Sequence, residues 1–207
     1  MKDSIRLKLD LWGFSSYADY LYTVAEICFL EGLIPVIDAG VLTPTELKKL
    51  HITSVDNSEQ ILAIAARNIH SYKNLLAPRN NRLDLVQSDL FSAIDFPAKL
   101  DFIVSNPPYI PSDKIADLQT EVSQFEPRNA LDGGKDGLFF YRYLLGTTPG
   151  MLKSDGKMIL EIGFDQQPDL NKLHNKFPAW KSSNFLPDLH ENVRVWILGK
   201  EPNLPLK

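Results

Sequence analysis

The stretch Phe102-Ile103-Val104-Ser105-Asn106-Pro107-Pro108-Tyr109 decides how the rest of the chain is read. Its first half is a short apolar run without polar alternation, the pattern of a strand buried on both faces of a parallel sheet. Its second half cannot continue that strand, because proline has no N–H to give to a ladder and Asn and Pro both favour turns. Working outward, strands are expected at residues 33–37, 51–55, 83–86, 102–105, 158–162 and 193–198. Apolar residues at helical spacing predict helices over 16–31 (Leu21, Val24, Ala25, Cys28, Phe29), over a segment carrying Ile61, Leu62, Ala65, Ala66 and Ile69, over 137–145 and over 167–176. Thr43-Pro44-Thr45-Glu46 combines a cap, a first-turn proline and a capping-box glutamate, so a further short helix is expected at 45–50. Strands alternating with helices imply an α/β fold with a doubly wound, mostly parallel sheet covered by helices on both faces. Ligands in such folds bind beyond the carboxyl ends of the strands, near a topological switch point, which is where Asp56 and Asn106 fall.

The residue types of the turn suit one chemistry. A planar –NH2, of a carboxamide or of a nucleobase, has a delocalised lone pair and attacks a methyl sulfonium poorly unless it is desolvated, held in line and hydrogen-bonded through both protons. The side-chain oxygen of Asn106 can accept one proton, and Pro107 and Pro108 leave bare carbonyls in a stiff turn, one of which can accept the other. Tyr109 offers a flat face to the planar group and to a neighbouring cation. Catalysis at such a site is mostly positioning and electrostatics, so no general base is nominated. The plain alternative is that Asn-Pro-Pro simply ends a strand. Its placement after an isolated apolar strand favours the functional reading.

Asp56 ends the strand 51–55 and precedes a helix, where a carboxylate can accept hydrogen bonds from both ribose hydroxyls of a nucleoside cofactor. The same position can be a helix N-cap, for which Asp56, Asn57 and Ser58 are all competent. In company with the turn at Asn106 the nucleoside role is preferred. Asp89 and Leu90 end the next strand region and by position border the adenine, with a simple turn as the alternative.

Composition sets the surroundings. With 207 residues, 44% hydrophobic and 23% charged, the chain can bury a core of one ordinary domain with an appendage. A formal charge of −4 argues against gripping a nucleic acid backbone over a large face, while leaving room for a local basic groove. Cys28 is the single cysteine, so neither a disulfide framework nor a cysteine-ligated cluster is expected, and a reducing compartment is the natural home. His51, His70, His174 and His190 lack ligand spacing and are read as surface or strand-end residues, with no metal site. No apolar stretch approaches the ~20 residues of a membrane span. The start, with Lys2, Asp3, Arg6, Lys8 and Asp10, has no signal-peptide core. A cytoplasmic monomer without membrane contact is expected.

From about residue 51 to 200 the chain resembles the catalytic domain of the release factor (protein-glutamine N5) methyltransferases. The matching stretches are Val55-Asp56-Asn57-Ser58, Gln87-Ser88-Asp89-Leu90-Phe91, residues 104–110, and Phe125-Glu126-Pro127-Arg128-Asn129-Ala130-Leu131-Asp132-Gly133-Gly134-Lys135-Asp136-Gly137-Leu138. Leu160-Glu161-Ile162-Gly163 and Asn192-Val193-Arg194 also fit. The Asn-Pro-Pro-Tyr turn is shared with adenine-N6 and cytosine-N4 methyltransferases and names a reaction type, whereas the segment 126–138 is more specific to the glutamine enzymes. The resemblance implies a class I (Rossmann-like) fold, S-adenosylmethionine as methyl donor, and a peptide chain release factor as the glutamine-bearing partner. It assigns Asp56 to the cofactor ribose, Asp89 and Leu90 to the adenine neighbourhood, and Asn106 to both cofactor and substrate. Asn106 and Pro107 would hold the glutamine amide, Pro108 would shape the turn and Tyr109 would pack on it. Outside the resemblance, Gly133, Gly134 and Gly137 read only as tight turns, since no phosphate-binding Gly-Lys-Ser/Thr follows them.

Residues 1–50 depart from that family and form an atypical N-terminal segment before the methyltransferase-like domain at 51–207. The family's glycine-rich loop after the first strand has one candidate here, Ile37-Asp38-Ala39-Gly40-Val41-Leu42, with Val41 and Leu42 where small residues are expected. The 18 positions from Asp38 to Asp56 are near the ~20 of a nucleotide-binding unit. The stretch from Gly13-Phe14-Ser15-Ser16 to Glu46-Leu47 resembles an internal segment of radical-type deazaflavin synthase subunits. Their cluster chemistry needs a cysteine triplet that one cysteine cannot supply. The helical docking domain of the glutamine methyltransferases is not recognisable in these residues. Two readings follow: an active glutamine methyltransferase, or a catalytically silent chimera that keeps the turn without the cofactor cradle. A nucleic acid amino-methyltransferase is disfavoured by the acidic charge.

Overall fold

The computed structural model describes residues 51–71, 82–94, 99–188 and 191–201. The expected elements at 16–31, 33–37 and 45–50, and the loop candidate at 37–42, lie outside the described residues. The chain divides into two compact units, one ending at Asp95 and the other beginning at Phe96.

In the first unit, β1 (His51–Asp56) and β2 (Arg82–Gln87) pair in parallel from His51↔Arg82 to Asp56↔Gln87. Helix α1 (Glu59–Ser71) follows β1. Its start is fixed locally: the Ser58 hydroxyl accepts the Ile61 N–H at 3.4 Å, and Glu59 puts a negative charge in the first turn, where the helix dipole favours it. Ile61, Leu62, Ile64 and Ala65 are half-buried, but Ala66, expected on the apolar face, is exposed. The stripe passes through Ile64 instead, which stands at i+3 from Ile61.

The second unit is built on a four-stranded sheet in the order β3-β4-β6-β5. These are β3 (Leu100–Ser105), β4 (Leu152–Glu161), β5 (Ser182–Pro187) and β6 (Val193–Gly199). β3 and β4 are parallel, whereas β6 runs antiparallel to both β4 and β5. Sequence patterning does not anticipate β5, because Ser182-Ser183-Asn184 carries no apolar alternation, and its pairing with β6 decides it. Strand β4 begins at Leu152, earlier than expected, with exposed residues 153–155 following. Ile103 of β3 is buried, but Val104 is 37% exposed, so the apolar run is not uniformly covered as its composition suggested. Among the described residues four α-helices complete the unit: α2 (Thr120–Phe125), α3 (Arg128–Leu131), α4 (Phe139–Thr147) and α5 (Gln167–His174). His174 thus closes a helix and is half-buried, rather than lying at a surface or strand end.

Trp196 at the centre of β6 anchors the core. Its ring stacks on Phe185 at 5.6 Å and meets Tyr141 edge-on at 6.2 Å, and its indole N–H donates to Ser183 Oγ at 2.9 Å. Tyr141, Leu144, Leu145, Met158, Leu160, Ile162, Leu170 and Leu198 are likewise fully enclosed. Truncating such an aromatic to alanine costs roughly 3–5 kcal/mol. The end of α4 shows how one polar group is satisfied at long range. The carbonyl of Leu145 has no helical donor, since Pro149 stands four residues on, and the buried Trp180 indole supplies the N–H at 3.0 Å.

Candidate active site

The Asn-Pro-Pro-Tyr turn leaves the carboxyl end of β3 as the sequence predicts. Pro107 is buried and Asn106 is exposed. Among the described residues neither the Asn106 amide nor the Pro107 carbonyl takes a hydrogen-bond partner. The Tyr109 carbonyl is already used, accepting from Gln166 Nε2 at 3.0 Å.

Residues 126–138, of which sequence alone would read Gly133, Gly134 and Gly137 only as tight turns, form the cradle of this turn. Ile110 N–H donates to Leu131 O at 3.0 Å and Gly133 N–H returns to Ile110 O at 2.8 Å, laying the two segments side by side. A Cβ on Gly133 would stand 2.8 Å from the Tyr109 Cα and carbonyl carbon. Gly137, at φ +70°, would drive a Cβ into the Tyr109 carbonyl oxygen. These glycines let two backbones touch where any side chain would part them. Asp132 ties the cradle together: its Oδ1 accepts from Ser112 Oγ at 2.5 Å and Gly134 N–H at 3.0 Å, and Arg128 Nε donates to Oδ2 at 3.2 Å. The Ser112 hydroxyl and the Gly134 amide hold its carboxyl below the usual range.

Two side chains, Glu161 and Arg194, meet Tyr109 at its hydroxyl. Arg194 Nη2 donates to Glu161 Oε1 at 2.9 Å and to the Tyr109 hydroxyl at 3.1 Å, and that hydroxyl donates to Glu161 Oε1 at 3.3 Å. The guanidinium carbon lies 5.7 Å from the ring centroid. Burial raises the Tyr109 phenol, and the neighbouring Glu161 carboxylate adds to it. Burial also raises Glu161 despite Arg194. Behind them, the Tyr141 hydroxyl donates to the Glu161 carbonyl at 2.9 Å. On the solvent side, Arg194 lines a shallow groove with Phe164, Asp188 and Asn192.

In the first unit, Asp56 and Asp89 lie at the carboxyl edge of β1–β2. Asp56 Oδ1 accepts the Ser58 N–H at 2.7 Å, a local turn before α1, while its other oxygen has no partner among the described residues. The local turn therefore engages only one oxygen of this carboxylate. Ser88 N–H donates to the Asp56 carbonyl at 3.0 Å, and the buried Ser88 hydroxyl accepts the Ala93 N–H at 2.9 Å. Asp89 is exposed in the turn this creates, and Leu90 adopts φ +51°, a left-handed conformation that costs a leucine about 1 kcal/mol. Asp56, Asp89 and Leu90 thus share the edge of one unit, and Asn106, Pro107, Pro108 and Tyr109 form one turn of the other.

Solved structures with the same fold define the class. The N-terminal domain of human METTL16 in complex with SAH superposes with a TM-score of 0.51 at 11% identity, covering 86% of this chain and 70% of that one. The METTL16 catalytic domain bound to a MAT2A 3′UTR hairpin gives 0.52 at 11% identity, over 75% and 57%. The fold is the class I, Rossmann-like α/β fold of S-adenosylmethionine-dependent methyltransferases, with a mostly parallel sheet. The similar curated sequences are narrower in kind. The release factor glutamine methyltransferase of Fusobacterium nucleatum is 34% identical over 163 residues, 78% of this chain and 44% of that protein. Those of Clostridium botulinum and Moorella thermoacetica are 32% and 37% identical, over 83% and 73% of this chain and 57% and 51% of theirs. The chain spans about half the length of the curated relatives it matches. No protein-family model matches it.

Glu161, Arg194 and Asp132 have no role in a reading of the sequence by itself, although all three fall in stretches that resemble the glutamine enzymes. Gln166 falls in none of these stretches and emerges from the structure alone. Among the described residues no helix is long and apolar enough to cross a membrane, and no group of three His, Cys, Asp or Glu side chains could hold a metal ion.

Proposed function

We propose that the chain is an S-adenosylmethionine-dependent methyltransferase whose acceptor is the side-chain amide nitrogen of a glutamine in a peptide chain release factor. The observation that carries this reading is the pair of acceptors, Asn106 Oδ1 and the Pro107 carbonyl, that take no hydrogen bond among the described residues, in a turn whose Tyr109 carbonyl is already engaged. One acceptor takes each amide proton. The nitrogen is then fixed with its lone pair directed away from the turn, and the stiffness of Pro107-Pro108 removes the need to reorganise on binding. S-adenosylmethionine supplies an electrophilic methyl on a sulfonium. The free oxygen of Asp56 suits its ribose hydroxyls, and Asp89 and Leu90 suit its adenine edge. The names of the curated relatives favour glutamine over a nucleobase as the acceptor.

Mass spectrometry of a release factor incubated with the chain and S-adenosylmethionine tests the reading. The expected result is one added methyl group on a glutamine, abolished by Asn106→Ala. Failure to bind S-adenosylmethionine at millimolar concentration would overturn it in favour of the catalytically silent reading.

A further inference from the structure

We propose that Glu161 and Arg194 are positioning residues for the acceptor turn. The carboxylate at the end of β4 and the guanidinium near the start of β6 grip the Tyr109 phenol from the sheet, and so hold Asn106 and Pro107 at the spacing a planar amide needs. This rests on the methyltransferase reading for its catalytic consequence, but the clamp itself stands on geometry.

Tyr109 is held at two separate points. Its phenol donates to Glu161 Oε1 and accepts from Arg194 Nη2, while its backbone carbonyl accepts from Gln166 Nε2. Gln166 is itself anchored, since its Oε1 accepts the Gly163 N–H at 2.9 Å and its Nε2 also donates to the Gly137 carbonyl at 3.2 Å. A residue pinned at both ring and backbone cannot rotate, and Pro108 and Pro107 pass that constraint up the chain to Asn106 with little torsional freedom. The Glu161–Arg194 pair is redundant for holding the strands together. β4 and β6 are already joined through Leu160↔Trp196 and Glu161↔Val195. The pair is also half-sheltered, with 19% and 30% of the two side chains exposed, so the cost of desolvating it offsets much of its attraction. What the pair adds is a donor and an acceptor fixed at one phenol. Tyr109 on this account is a strut from the sheet to the turn rather than only a flat platform, which changes the part the turn's last residue plays.

The test compares Glu161→Gln, Arg194→Lys, Tyr109→Phe and the double variant Glu161→Gln/Tyr109→Phe, each checked for an unchanged unfolding midpoint. Each single change is expected to lower kcat about 10–100-fold, as misplacement of a reacting group does, and to leave S-adenosylmethionine affinity by calorimetry unaltered. The double variant should be no slower than the slower single, because both changes break one clamp. Additive losses, or losses confined to cofactor affinity, would overturn the proposal. A second readout needs no activity: in tyrosine-labelled protein, the Tyr109 ring should flip slowly by NMR, and flip fast in Glu161→Gln and Arg194→Lys. If the wild type transfers no methyl group while this change in flipping is seen, the functional reading fails and the clamp stands. If the ring dynamics are the same in all forms, the clamp fails whatever the activity.

Discussion

Gly137→Ala is the sharpest perturbation of the cradle, because backbone conformation and contact act in the same direction. Gly137 sits at φ +70°, and a Cβ there would collide with the Tyr109 carbonyl oxygen and stand 2.9 Å from Gln166 Nε2. Holding alanine in the left-handed region costs about 1–2 kcal/mol. Forcing an extra carbon into a packed contact costs typically about 1–3 kcal/mol, and a displaced Gln166 loses hydrogen bonds of about 1 kcal/mol each. The smaller entropy of unfolded alanine returns roughly 0.5 kcal/mol. A net loss of about 3–6 kcal/mol follows, a fall in melting temperature of roughly 12–24 °C at about 4 °C per kcal/mol. Gly150→Ala is the built-in control, since a Cβ there meets nothing within 4 Å and its φ is not left-handed. It should be neutral or slightly stabilising. Urea unfolding followed by tryptophan fluorescence reports on this unit, because Trp180 and Trp196 are both buried in it. Equal midpoints for the two variants would refute the claim that Gly137 is required by its close approach to the turn.

Asp56→Asn should keep the local turn, because an amide oxygen still accepts the Ser58 N–H, yet lose the charge. S-adenosylmethionine affinity should then fall about 10–100-fold by calorimetry, and an unchanged Kd would remove Asp56 from the cofactor role. Asp132 titrates below an ordinary aspartate, so its stabilisation is complete above the unfolded-chain value and is lost as pH falls through the lower folded value. Thermal scans should show the wild type losing stability below about pH 4, whereas Asp132→Asn should be less stable at neutral pH and flatter in acid. Parallel acid limbs would contradict this. Trp180→Phe keeps most of the packing but strands the Leu145 carbonyl next to Pro149, costing about 1–3 kcal/mol by urea unfolding. A loss no greater than that of a buried methylene would show that the indole N–H does not matter.

Much of this protein is local and therefore legible in order along the chain. Proline ends β3 wherever it stands in a fold, and the helical spacing of apolar residues from Ile61 to Ile69 marks a helix where α1 lies. The acceptor chemistry of Asn106 and Pro107 is likewise a property of the residues themselves. What the tertiary structure decided is which distant residues hold them. Tyr109 meets Glu161 across 52 positions, Gln166 across 57 and Arg194 across 85, and no periodicity encodes such pairs because their proximity depends on the order of β3, β4 and β6 in the sheet. The same holds for β5, whose polar residues become a strand only because β6 offers them a ladder, and for Gly137, an ordinary turn glycine until the Tyr109 carbonyl is laid against it.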